Sequence, residues 1–273
     1  MTKQMAVFLI LVLYIIINGI FIEPNALEVM KYDIEDNRLQ GIRVAFLTDF
    51  HLKKRDYKRL DEIIAKTNSQ KPDIVILGGD FAHGKKIKDT MNLEIMAEKL
   101  SLLTLGSKVY AVLGENDWNT DGEAITQALK AADIRVLEDS NVRTIVKSRY
   151  IDIIGISDLT TRSATISEAF KRTVKPRIVI THNPDVYYDI IDDANIILAG
   201  HTHGGQFALP FGKALFASSR YGNKFASGLI KETYNTMIVS KGLGVKGIPI
   251  RINCKPEITI IDFKRAGNQR SYY

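Results

Sequence analysis

The chain has 273 residues, 45% of them hydrophobic, and 37 Lys and Arg against 31 Asp and Glu give a net charge of +6. That supplies core for one large domain or two small ones; the basic excess suits an anionic substrate or a phospholipid surface and is too small to imply nucleic acid. The single cysteine, Cys254, excludes an intramolecular disulfide and any Cys-rich zinc site.

Met5 to Ile22 is apolar except for Asn18 and Gly19, a length at the lower end of what spans a bilayer. A cleavable signal peptide and a buried core helix compete with this reading. Against the first, Glu23-Pro24-Asn25-Ala26-Leu27 offers no small-x-small cleavage site; against the second, no polar position recurs each turn. Residues 1–24 are therefore read as a membrane anchor and residues 25–273 as one catalytic domain. Lys3 on one side and Lys31 and Arg38 on the other leave the orientation open.

A tether and a first strand occupy Glu23 to Gly41. Apolar strands then alternate with amphipathic helices: strand Ile42–Leu47, helix Tyr57–Ser69, strand Asp73–Leu77, helix Met91–Leu105, strand Val109–Leu113, helix Gly122–Ala132. This rhythm predicts parallel strands with crossover helices. Short β-rich pieces at 136–137, 142–146 and 150–156 predict a more antiparallel second half. Buried strands follow at Arg177–Thr181, Asn195–Ala199, Thr236–Ser240 and Glu257–Phe263, the last two around a Gly-rich loop, Lys241–Gly247.

The chemistry sits at strand ends. Asp49 and His51 follow the second strand, Asp80 the third, and Glu115-Asn116-Asp117 the fourth. His182, then His201 and His203, follow the strands ending at Thr181 and Ala199. In open α/β sheets the C-terminal strand ends meet at the functional crevice. Carboxylate plus imidazole suits two divalent ions, Mn²⁺ first, then Zn²⁺ or Fe, and a carboxylate such as Asp80 can bridge them. Two ions about 3.5–4 Å apart clamp both oxygens of an in-line phosphoryl displacement.

The ordered set Asp49-x-His51, Gly79-Asp80, Gly114-Glu115-Asn116-Asp117, His182 and Gly200-His201-Thr202-His203 resembles the calcineurin-like metallophosphoesterase superfamily, over about Arg43 to Phe263. The tail, from Tyr221–Gly228 through Gly242-Leu243-Gly244 and Ile250-Arg251 to Lys255-Pro256-Glu257, is similar to a bacterial branch of membrane- or wall-associated phosphoesterases that includes UDP-2,3-diacylglucosamine hydrolases of lipid A synthesis. The resemblance implies a four-layer α/β/β/α sandwich. It implies that Asp49, His51 and His203 hold one metal, that Asp80 bridges, and that His182 and His201 hold the second with a ligand from Gly114–Asp117.

One departure stands out. The family pattern is Gly-Asn-His-Asp/Glu, in which the Asn is a ligand and the His stabilises the transition state. An ungapped match puts Glu115 at the ligand position and Asn116 at the imidazole position, and Asp117 then fits; a slipped register would keep Asn116 as the ligand. An amide donates a hydrogen bond but no proton at neutral pH. Asn116 and His83 are thus the catalytic candidates, His83 as a borrowed acid or else a solvent-facing loop histidine.

Lys53-Lys54-Arg55 with Lys58-Arg59, and Lys85-Lys86 with Lys88, are read as a basic rim or as solvated helix starts. Leu209 to Phe216 carries apolar residues suited to core packing or to an acyl contact. Gly242 and Gly244 are read as turn residues without chemistry. The resulting expectation is a phosphoesterase of the bacterial inner (plasma) membrane acting on a phosphorylated lipid or nucleotide-lipid. Other cell-envelope phosphates, and a metal-binding membrane scaffold with lost turnover, are the alternatives.

Overall fold

A computed structural model describes residues 2–190, 194–209, 213–232 and 235–266. In chain order the elements are α1 (Lys3–Ile17), β1 (Glu28–Glu35), β2 (Arg43–Leu47), α2 (Tyr57–Ser69), β3 (Ile74–Leu77), α3 (Leu93–Ser101), β4 (Lys108–Ala111), α4 (Glu115–Ala131), β5 (Arg135–Val136), β6 (Ser140–Val146), β7 (Arg149–Ile156), α5 (Ile166–Ala169), β8 (Arg177–Thr181), β9 (Ile196–Ala199), β10 (Gly228–Lys231), β11 (Thr236–Val239) and β12 (Glu257–Lys264).

The strands form two six-stranded sheets, ordered β1-β12-β2-β3-β4-β5 and β10-β11-β9-β8-β7-β6. Alternation along each strand splits its side chains between two cores. Val44 and Phe46 of β2 face the second sheet with Ile153, Ile178 and Leu198, whereas Ala45 and Leu47 face α2, α3 and α4. Helix α2 answers with an apolar stripe of Leu60, Ile63, Ile64 and Thr67. The outer face of the second sheet, with Ile154, Val179 and Ile197, is covered by α5 and short 3₁₀ turns carrying Phe170, Val186, Tyr187 and Phe225. The result is the α/β/β/α sandwich anticipated, with a thin fourth layer.

Three expectations are corrected. The more antiparallel character expected of the second half is confined to the β6–β7 hairpin, the β10 edge and the β12–β2 pair, whereas β11, β9, β8 and β7 run parallel. Strand β10 was not anticipated, because Gly228–Lys231 is short and only half apolar. Helix α4 begins at Glu115 rather than Gly122. Its two halves meet at Asp121, which leaves helical geometry (φ −171°, ψ 82°) and caps the second half by accepting from the Ala124 N–H at 3.0 Å. The anticipated start was that second cap.

At the N-terminus, α1 continues through a π turn and a 3₁₀ turn, making one helix from Lys3 to Asn25, long and apolar enough to cross a membrane. Its side chains are mostly exposed as far as Ile17, while Gly19 and Glu23 are buried.

Candidate metal centre

The carboxyl ends of β2, β3, β8 and β9 converge as anticipated. Past those ends, Asp49 (φ 55°), His51 (φ 43°), Asp80 (φ 54°), His201 (φ 71°) and His203 (φ 53°) all take left-handed backbone. Such turns are uncommon for non-glycine residues and are held here by backbone bonds from Asp49 N to Gly79 O and from His51 N to Asp80 O, both 2.9 Å.

These side chains form two triads that share Asp49, one with His51 and His203, the other with Asp80 and His182. His203 Nε2 lies 3.3 Å from Asp49 Oδ1, and His51 Nε2 lies 3.0 Å from His203 Nε2. Asp80 Oδ2 is 3.5 Å from His51 Nε2 and 3.4 Å from His182 Nε2, so it reaches one imidazole of each triad. His201 stands beside the second triad. Its ring centroid is 5.3 Å from that of His182, and its N–H donates to both Asp49 oxygens at 3.1 Å.

The donor set fits divalent cations. His182 Nε2, His201 Nδ1 and His203 Nδ1 are buried without a hydrogen-bond partner, which is costly unless something else is to be bound. His182 Nδ1 lies 2.8 Å from the Gly78 carbonyl, which can only accept, so Nδ1 carries a proton and Nε2 faces the carboxylates. Burial lowers the pKa of His51 and of His201 to about 4, and that of His203 well below the ordinary value, which keeps their lone pairs free. Burial also opposes charge on His182, but Asp80 and Asp49 override it and raise its pKa well above the usual range. Asp80 is held well below the carboxylate range despite its burial, chiefly by His182, whereas burial lifts Asp49 to about 6. A field that stabilises a proton at this point also stabilises a metal cation.

The Gly114–Asp117 turn distributes its residues differently from the ungapped expectation. The Glu115 carboxylate lies outside both triads and pairs with the Lys246 ammonium. Asn116 sits on Asp80 instead: its backbone N–H donates to Oδ1 at 2.8 Å and its side-chain amide to Oδ2 at 2.6 Å. Asp117 accepts from the N–H groups of Ala82 (2.9 Å) and Gly114 (3.0 Å), tying the β3 and β4 exits together. His83 is half-buried, its ring 6.5 Å from that of His51, outside the triads but on their edge rather than in open solvent.

Of the basic rim, Lys53, Lys54, Arg55, Lys58, Lys85, Lys86 and Lys88 are exposed. Arg59 departs from that reading. Its guanidinium is turned inward, donating to Phe50 O at 2.6 Å and Leu243 O at 3.1 Å, and so braces the loop behind His51.

The Gly-rich loop has a larger role than turning. A Cβ on Gly242 (φ +71°) would come 2.6 Å from Asp49 Cβ, and one on Gly244 would come 2.5 Å from Phe50 O. The loop is therefore packed directly on the ligand segment. Arg251, fully buried, holds it there by donating to Lys241 O at 2.8 Å, Gly244 O at 2.5 Å and Cys254 O at 2.9 Å. Gln206 clamps Lys246 in both directions, accepting from its N–H at 2.7 Å and donating to its carbonyl at 3.0 Å. Sequence reasoning missed Lys246, Gln206 and Arg251. The available signals were a charged residue inside Ile250-Arg251-Ile252 and a lysine inside a glycine loop.

A pocket of about 310 Å³ opens at the centre, lined by His201, His203 and Lys246 and by Phe207, Phe216 and Ile248. Two imidazole–carboxylate triads, one of which reaches an open pocket through His203, define a metal-dependent hydrolytic centre. Bound there, two divalent ions would acidify an attacking water and offset charge on phosphoryl oxygens.

Residues 42–205 match the family described as calcineurin-like phosphoesterase. Phosphodiesterase YaeI of Escherichia coli is 27% identical over 250 residues, spanning 89% of this chain and 90% of that protein. The metallophosphoesterase Cj0846 of Campylobacter jejuni is 30% identical over 273 residues, 95% of this chain and 68% of that protein. A transmembrane protein with a metallophosphoesterase domain from Danio rerio is 29% identical, over 84% of this chain and 54% of that protein. The chain belongs to the calcineurin-like phosphoesterase family and is a metal-dependent phosphoester hydrolase.

Proposed function

We propose that the chain is a membrane-anchored, two-metal enzyme cleaving a phosphodiester or diphosphate bond in a lipid-linked substrate. The observation that carries this reading is the pocket, lined by His201, His203 and Lys246 and by Phe207, Phe216 and Ile248. A phosphate suits the first group and an alkyl chain the second. The name of the Escherichia coli relative supports a diester, and that of the Danio rerio relative supports a membrane setting for α1. Mn²⁺ is the proposed ion, and the bacterial inner membrane the proposed site.

Within the chemistry, Asp80 orients His51 and His182, the Nδ1–H···O bond to Gly78 fixes the His182 tautomer, and Asn116 donates to Asp80. Asn116 offers no proton to the leaving group, so esters with good leaving groups are favoured. UDP-2,3-diacylglucosamine, a diphosphate whose UMP leaves readily, is the specific candidate. The test is mass-spectrometric detection of UMP from that compound with purified protein and Mn²⁺, against Asp80→Asn. Release that disappears in the variant supports the candidate. Hydrolysis of a chromogenic diester without UMP release moves the substrate to other envelope phosphates, and metal loading without hydrolysis of either leaves a metal-binding scaffold.

A further inference from the structure

The base of the apolar helix and the floor of the metal centre share one loop. The Gly19 carbonyl accepts from Arg251 N–H at 2.9 Å, and Ile250 packs so closely that a Cβ on Gly19 would come 3.0 Å from its Cγ2. The buried Glu23 carboxylate accepts from Cys254 N–H, and Cys254 Sγ lies 3.2 Å from the carbonyl oxygen of His203. Ile252 exchanges backbone bonds with the Gln206–Ala208 segment, both 2.9 Å. The site is therefore fixed against the end of α1, with no flexible tether between them.

Around that junction the surface is apolar and basic. Phe216 is 65% and Ile248 61% exposed, Leu215 beside Phe216 and Leu209 earlier in the chain are exposed too, and Phe21 and Ile22 are exposed at the helix end. Pro210–Gly212 of the same loop lie outside the described residues. Residues 213–224 and 244–256 contain no Asp or Glu and carry the exposed Lys213, Arg220, Lys224 and Lys255, Lys224 pairing with Glu232 and the half-buried Lys246 with Glu115. Large apolar side chains among cations form the composition that settles at a headgroup layer. A water-facing surface gains nothing from exposing them.

We propose that this face is an interfacial surface: it lies among the headgroups of the bilayer that α1 crosses, and the pocket takes its phosphoester directly from that leaflet. The lipid's alkyl portion rests on Phe207, Phe216 and Ile248, and its phosphate points toward His201, His203 and Lys246. The inference rests on the membrane-anchored phosphoesterase reading and adds to it the face of entry and the leaflet.

The experiment uses the full chain in nanodiscs of phosphatidylethanolamine and phosphatidylglycerol. Phe216→Trp and Ile248→Trp are compared with the wild type, whose single tryptophan supplies the background. Both added tryptophans are quenched by lipids brominated near the acyl carbonyl and shielded from iodide. Quenching no greater than in the wild type overturns the proposal. The double variant Phe216→Ser/Ile248→Ser lowers turnover of a fluorescent phosphatidylglycerol in the disc, relative to soluble bis(p-nitrophenyl) phosphate, by about tenfold; an unchanged ratio overturns it. If the wild type cleaves neither ester, the reading of a lipid phosphodiester as substrate fails while the quenching result still decides the interfacial surface.

Discussion

Left-handed backbone at Asp49, His51, Asp80, His201 and His203 costs about 1 kcal/mol or more at each residue. The packing of the Gly242–Gly244 loop and the Arg251 clamp offsets that cost. Gly242→Ala adds a Cβ at φ +71° that would meet Asp49 Cβ at 2.6 Å. It is expected to lose about 1–3 kcal/mol of stability and to weaken metal binding about tenfold or more, read by denaturant melts and by metal titration. A second prediction concerns Asn116, whose amide bonds to Asp80. Asn116→His is expected to raise turnover of alkyl phosphodiesters about 10²-fold while changing p-nitrophenyl esters little, since only poor leaving groups need a proton. Equal effects on both classes would remove the missing acid from the account. The clustering of the Asp and His side chains was legible because carboxylates and imidazoles after buried strands have few other uses. Lys246 and Arg251 were not, because their roles arise from contacts with Glu115 and with the Lys241–Gly244 loop that no local pattern encodes.

At the scale of elements, the joint between β12 and β2 is sealed by a two-pronged pair. Arg43 Nε and Nη2 donate to the two Asp262 oxygens at 2.7 and 3.0 Å. The Arg43 hydrogen bond outweighs burial and lowers the Asp262 pKa. A carboxylate depressed in the folded state contributes stability that is present above its unfolded value near pH 3.9 and is lost as pH falls through the folded value. Comparing the wild type with Asp262→Asn in detergent micelles should therefore show a difference of about 1 kcal/mol at neutral pH that shrinks below about pH 4. A gap that stays constant down to pH 2 would mean that the pair contributes no titratable stability. Helix α2 and the long inner strands were legible from their periodicity. The parallel run of the second sheet was not: β8 and β9 are apolar on both faces, and period-2 patterning says nothing about strand direction.

For the whole molecule, the helix from Lys3 to Asn25 is roughly 34 Å long at 1.5 Å per residue, against a hydrocarbon core of about 30 Å. Membranes carrying the full chain should retain it through a carbonate wash and release it only into detergent; release by carbonate would dismiss the span. The sequence showed the helix but not that Glu23 and Gly19 seat it on the 250–254 loop. The strand order has a different consequence. The last strand, β12, lies between β1 and β2, and Glu257 at its start is paired in register with Glu28. During synthesis the first sheet must therefore wait with a gap until residues 257–264 emerge. The loop that supports Asp49 comes only shortly before that strand. A nascent chain thus carries its Asp and His cluster without the frame that aligns it, and hydrolytic competence waits for β12.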